Sequence, residues 1–281
     1  MKRRNFLKTS SMLAASGLLA YRSSFANIAK PIGLQLYTIR KEMQTDLLGS
    51  LKKVAEIGYT QVEMAGYNNG QFYGKSPMEF KQICDDLGLR IISSHSGMNV
   101  DNVAKIAEDS KAVGVEYLVL PFLGGNERKT LDDYKMLGEK FNTYGTVCKN
   151  AGLKFAYHNH DFEFTLIDNQ VPYDLLLQNT DPTLVSFEVD LYWIIKAGYK
   201  PLDYFAKYPG RFSMWHVKDR DAASGKFTEV GKGNVDFKGI FAKKAESGME
   251  YFFVELDMSV IPAMDSIKIS FDYLNQADFV R

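Results

Sequence analysis

Ala151-Gly152-Leu153-Lys154-Phe155-Ala156-Tyr157-His158 reads as a helix end, a turn and a buried strand that closes on an imidazole. Glycine lets a helix end in a left-handed residue without a Cβ clash. The apolar run behind it suits a strand covered on both faces. The same unit recurs: Ile57-Gly58-Tyr59 leads into 60–64, Leu87-Gly88-Leu89 into 90–95, and Val113-Gly114-Val115 into 116–120. Pro209-Gly210 leads into 211–216, and Ser247-Gly248-Met249 into 250–255. Two further strands, 32–37 and 184–190, complete eight units at a spacing of roughly 25–40 residues, which matches a single-domain (β/α)8 barrel over residues 27–281. A doubly wound open sheet is the alternative, but no Gly-x-Gly-x-x-Gly follows the first strand.

The strand ends carry the chemistry. Three late runs finish in Glu188-Val189-Asp190, Trp215-His216-Val217-Lys218-Asp219 and Val254-Glu255-Leu256-Asp257, and strand five runs into His158-Asn159-His160. Burying such groups unpaired costs on the order of several kcal/mol each. Their recurrence at one level of successive strands therefore points to a shared partner, and in a (β/α)8 barrel that level is the active-site face. Asp190, His216 and Glu255 make a mixed N/O donor set suited to a divalent metal: Mn, Co, Zn or, less well, Mg. Taken singly, Asp190 can be a helix cap, His216 a satisfied core imidazole and Glu255 a partner of lysine. A fourth ligand is expected from strand five. His158 is the first choice and Glu188 the alternative.

Around this set stand further candidates. His158 and His160 share a strand face by the two-residue alternation, and Glu163 follows in the loop. Lys218, two residues past His216, points to the same side, where it can hold a substrate oxygen or stabilise an enolate; an ion pair with Asp219 is its structural alternative. His95 and Glu63, at the ends of strands three and two, can serve as base or hydroxyl ligand, or brace the barrel mouth. Gln35 and Tyr37 on strand one, with Trp193 after strand six, are placed as the lining of a sugar pocket. His160 and Glu163 are further substrate contacts. The glycine-rich stretch 229–236 is expected to close over the mouth.

Composition narrows the function. The 34 basic residues balance 34 acidic ones, which gives no electrostatic case for nucleic acid or an anionic membrane. Lys2-Arg3-Arg4-Asn5-Phe6-Leu7-Lys8, a short apolar stretch and Ser24-Phe25-Ala26 resemble a twin-arginine export signal. Residues 1–26 are therefore expected to be removed, leaving a periplasmic protein with no membrane segment. Cys84 and Cys148 are the only cysteines; they can pair in an oxidising compartment or remain buried thiols.

From 32 onward the chain resembles the xylose-isomerase-like TIM barrel superfamily, often called sugar phosphate isomerases/epimerases. The matching stretches are Tyr157-His158-Asn159-His160-Asp161-Phe162-Glu163, Glu188-Val189-Asp190-Leu191-Tyr192-Trp193, His216-Val217-Lys218-Asp219-Arg220-Asp221 and Gly231-Lys232-Gly233-Asn234-Val235-Asp236. The resemblance implies a metal set of Glu, Asp, His and Glu on strands five to eight. Asp190, His216 and Glu255 match the last three. The first departs: Ala156 stands where the ketose epimerases carry a glutamate, and His158 is the substitute. Trp193 replaces a family histidine.

The implied reaction is metal-dependent enolisation of a sugar or keto-sugar. Glu255 or a histidine (His158, His95) takes a proton beside the carbonyl, and Lys218 steadies the enediolate. Reprotonation gives an isomerase or epimerase, the first expectation. Loss of a β-substituent gives a lyase of the 3-keto-glycoside or inosose-dehydratase kind, the alternative. A non-catalytic sugar-binding barrel is a third reading. The expected partner is a small carbohydrate, with neither nucleic acid nor membrane and with a homodimer left open.

Overall fold

The computed structural model describes residues 31–280; the expected export signal, 1–26, lies outside them. Strands β1 (Gly33–Gln35), β2 (Gln61–Met64), β3 (Arg90–His95), β4 (Tyr117–Leu120), β5 (Lys154–His158), β6 (Val185–Asp190), β7 (Met214–Val217) and β8 (Tyr251–Val254) pair in chain order, and β8 pairs with β1. All these pairings are parallel and the barrel is closed. The chain is a (β/α)8 barrel. The repeated glycines do the work the sequence assigns them. Gly58 (φ 118°) and Gly114 (φ 94°) cap the helices Leu47–Ile57 and Val103–Val113 in the left-handed conformation.

Alternation along the strands divides the core. Phe155, Tyr157, Phe187, Val189, Trp215 and Val217 face outward into the layer shared with the helices. Ile92, Tyr117, Val119, Ala156, Met214 and Phe253 form a separate buried cluster inside the barrel. This apolar plug fills the lower interior. Inward-facing residues nearer the strand C-termini lie above it, at the end where such barrels place their chemistry.

Two strands end earlier than the sequence suggests. Gln35 Oε1 accepts the Tyr37 N–H at 3.0 Å, which starts a 3-10 turn over Leu36–Ile39 and takes Tyr37 off strand one. β5 stops at His158, so His160 follows the strand instead of sharing its face. Cys84 and Cys148 are both buried and free. Among the described residues no helix is long and apolar enough to cross a membrane.

The glycine-rich stretch is anchored, where the sequence suggested a closing loop. Asp219, 1% exposed, accepts backbone N–H bonds from Gly231 (2.9 Å), Gly233 (3.0 Å) and Val235 (3.1 Å). A Cβ on Gly233 would lie 2.2 Å from Asp219 Oδ1 and 2.3 Å from the Arg220 carbonyl. Gly233→Ala should therefore cost about 1–3 kcal/mol by overpacking, read as a lower melting midpoint. An unchanged midpoint would show that Asp219 does not hold the loop.

Candidate metal centre

The last residues of the barrel strands build the site. His95 ends β3, His158 ends β5, Asp190 ends β6, His216 is the third residue of β7, and Glu255 immediately follows β8. Register fixes their neighbours: His158 lies opposite Glu188, and Asp190 opposite His216. Asp190 is also the N-cap of the helix Leu191–Lys196, its Oδ1 accepting the Trp193 N–H at 2.9 Å. Its Oδ2 is buried and faces the Lys218 ammonium at 2.9 Å. Donor atoms of His158, Asp190, His216 and Glu255 all lie within 4.8 Å of one another. Two imidazoles and two carboxylates converging at this distance fit a divalent first-row cation.

Lys218 is buried against this quartet. Its Nζ lies 2.9 Å from Asp190 Oδ2, 2.8 Å from Glu255 Oε2 and 2.7 Å from Asp257 Oδ2. The alternative partner, Asp219, is spent on the loop. Burial lowers the Lys218 pKa, but Asp190, Glu255 and Asp257 outweigh it and hold the group well above its usual value. Burial raises the Glu255 carboxyl, and Lys218 with His216 more than reverses that, leaving it well below the usual range. For Asp190 burial wins over Lys218, and its carboxyl is pushed up to about 6.

A second tier lies beside it. Glu63, fully buried, accepts hydrogen bonds from Gln35 Nε2 (2.7 Å), Ser93 Oγ (2.7 Å) and His216 Nε2 (2.5 Å). A register shift in the β2–β3 pairing falls between Val62 and Glu63. Glu188 Oε2 lies 2.6 Å from His95 Nε2, 3.2 Å from His216 Nε2 and 3.3 Å from His158 Nδ1. Burial and the neighbouring Glu188 raise the Glu63 carboxyl. Burial lowers His95, but Glu63 and Glu188 reverse it and raise the imidazole. Burial, with His216 nearby, keeps His158 well below its usual value and therefore neutral. His216 presents Nδ1 to Glu255 at 2.8 Å and Nε2 to Glu63. A carboxylate on one imidazole nitrogen orients the other toward a metal.

The sequence candidates thus separate. His95, His158, His160 and Glu255 line a cavity of about 370 Å³ together with Tyr37, Tyr67, Phe122 and Asp257. His160 packs edge-on against Phe122 and tilted to Trp193, and burial with the nearby Lys218 pushes it down to about 4. Gln35 and Glu63, expected at a sugar pocket, are 0% exposed and bonded to each other. Glu163 turns away: it accepts from the Tyr157 hydroxyl and from the His160 N–H, and burial pushes it up to about 7.

Asn159 has no role in the sequence reading beyond its place in the motif. Its Oδ1 accepts the Asp190 N–H at 3.2 Å and the Tyr173 hydroxyl at 3.3 Å, joining the ends of β5 and β6. Its position between two candidate histidines was the available signal. Tyr67 comes from a short antiparallel hairpin (Tyr67–Asn68 with Gln71–Phe72) and Phe122 from the segment after β4, neither of which the strand–helix repeat announces.

A closed parallel barrel with imidazoles and carboxylates gathered at its C-terminal mouth has the architecture of a (β/α)8 enzyme. Residues 51–277 match the family described as Xylose isomerase-like TIM barrel. The chain belongs to that family of enzymes. It is 24% identical over 270 residues to the inosose dehydratase of Geobacillus kaustophilus, covering 80% of this chain and 85% of that one. The crystal structure of a sugar phosphate isomerase/epimerase from Parabacteroides distasonis is 31% identical with a TM-score of 0.79. That match covers 90% of this chain and all (100%) of the other. The IolI protein, solved with a zinc atom, shares the fold at 13% identity and a TM-score of 0.69, over 89% of this chain and 98% of its own.

Asp190→Asn keeps the Oδ1 cap and removes the charge. Its cation affinity, measured by chelator competition, should fall at least about 10–100-fold, the loss seen when only outer partners of a metal ligand change. The wild-type affinity should also fall as pH drops through about 6, where Asp190 takes up a proton. Glu163 binds its proton more tightly folded than unfolded. Its stabilising contribution is complete below about 4.5 and lost as pH rises through about 7, a loss on the order of 3 kcal/mol. Glu163→Gln should flatten that slope in urea unfolding; an unchanged slope would remove Glu163 as its source.

Proposed function

We propose that this barrel is a cation-dependent carbohydrate lyase, which removes the proton beside a ketone and expels the substituent one carbon further on. The observation that carries the reading is the buried quartet His158, Asp190, His216 and Glu255 with Lys218 locked against it. The zinc bound by the IolI protein and the dehydratase name of the curated relatives support it. A divalent ion held by the quartet would supply Lewis acidity toward the ketone.

The chain's own groups divide the remaining work. Glu255, ionised because Lys218 and His216 hold it low, accepts the proton. The Lys218 ammonium compensates negative charge growing on the enediolate oxygens. His158 stays neutral and keeps a lone pair. Tyr37 and Phe122, 41% and 51% exposed at the mouth, flank the route by which the leaving group departs into water. The substrate class is a cyclic inosose or a 3-keto-glycoside. The isomerase/epimerase reading stays second, favoured by the name of the similar Parabacteroides distasonis protein; it uses the same proton abstraction and differs in the fate of the enediolate. The twin-arginine reading of residues 2–8 puts the enzyme in the periplasm, where keto-glycosides suit it better than sugar phosphates.

Incubation of the metal-loaded protein with an inosose and with 3-keto-glycosides in deuterated water tests this. Release of water or aglycone is expected, and Glu255→Gln should slow it by about 10²–10⁴-fold. Deuterium exchange with the substituent retained would favour the isomerase. No exchange on any keto-sugar would sink the enolisation chemistry.

A further inference from the structure

The second tier lacks the lysine that the mouth quartet has. Asp190 and Glu255 have Lys218 between them. Glu63 and Glu188 are both 0% exposed, and their only basic partners within 4.0 Å among the described residues are imidazoles. Burying two carboxylates side by side without a permanent cation is costly. On this tier Glu188 Oε1 is buried without any hydrogen-bond partner, and His158 Nδ1 meets only Glu188 Oε2, at 3.3 Å, on residues 0% and 3% exposed.

We propose that His95 Nε2, His158 Nδ1 and the Glu188 carboxylate form a second cation seat beside the mouth quartet. Donor atoms of His95, His158, Glu188 and His216 lie within 4.8 Å of one another. Metal bonds of about 2.1 Å hold neighbouring donors roughly 3.0–3.4 Å apart. The separation of Glu188 Oε2 from His158 Nδ1, 3.3 Å, already matches. The contact to His95 Nε2, 2.6 Å, has a hydrogen bond's length, and a metal there replaces that proton and opens the pair slightly.

A neutral imidazole has one free lone pair, so each histidine serves one cation at a time. Both His216 nitrogens face carboxylates, Nε2 at Glu63 and Nδ1 at Glu255, and with a cation at the mouth Nε2–H would stay on Glu63 while the Nδ1 lone pair would turn to the ion. His158 faces both tiers, with Nδ1 3.3 Å from Glu188 and Nε2 3.9 Å from Asp190. In the doubly loaded protein Asp190, His216 and Glu255 keep the mouth ion, and His158 joins His95 and Glu188 below. Two imidazoles and one carboxylate suit a first-row dication such as Zn, Fe(II) or Co, and suit Mg or Ca poorly. This seat goes beyond the proposed reaction and does not require it.

The test is metal stoichiometry on the folded protein, stripped with chelator, reloaded with zinc and desalted. Wild type should carry two zinc ions per chain by elemental analysis. Glu188→Gln and Asp190→Asn should each carry one, with circular dichroism confirming the fold. Wild type and Glu188→Gln both at one would overturn the second seat. Should Glu188→Gln not fold, zinc-edge anomalous diffraction from wild-type crystals decides. A peak between His95 and Glu188 supports the seat. A lone peak among Asp190, His216 and Glu255 overturns it and leaves the mouth quartet standing. A peak only between His95 and Glu188 keeps the seat and removes the quartet as the metal site.

Discussion

The charge balance at the barrel mouth is the constraint on which this molecule depends. Glu63, Glu188, Asp190, Glu255 and Asp257 meet at one end of a closed barrel, and Lys218 is the only lysine or arginine in ion-pair contact with any of them among the described residues. A buried charge is tolerated when paired and expensive when not. Lys218 pairs with the three outer carboxylates. The inner ones rely on His95, His158 and His216 or on what those imidazoles help to bind.

The surrounding fold keeps that assembly in place. The apolar plug of Ile92, Tyr117, Val119, Ala156, Met214 and Phe253 closes the barrel below it. Asp190 caps the helix Leu191–Lys196 with one oxygen and turns the other to Lys218, so its rotamer is set by the backbone it caps and by that ion pair. Asn159 ties the same strand end to β5. Asp219 gathers the N–H groups of the loop behind Lys218. Each of these supports spends a polar side chain on geometry, which agrees with a site that must hold its groups fixed before any ligand arrives.

Much of this was legible in the chain. The helix–glycine–strand unit recurs often enough to imply eight strands, because a left-handed helix end and a covered strand both leave local marks. Asp190, His216 and Glu255 were legible as a converging set too, with the fourth member left between His158 and Glu188, since polar residues closing apolar runs are rare and a barrel brings strand ends together. What misled was local hydrogen bonding. Gln35 accepts the Tyr37 N–H and breaks strand one early, and an alternation pattern does not reveal that. Glu163 follows the motif like a ligand, yet its carboxylate serves the Tyr157 hydroxyl and the His160 N–H.

The sequence by itself determined the barrel, its eight strands and the donor types that crown them, because periodicity and turn chemistry act over a few residues. Only the tertiary structure decided how those donors are shared. Gln35 with Glu63, Lys218 with Asp190 and Glu255, and His95 with Glu188 are pairs formed across different strands. Their partners are set by register and by the stagger of the closed barrel, and no stretch of chain encodes that stagger locally.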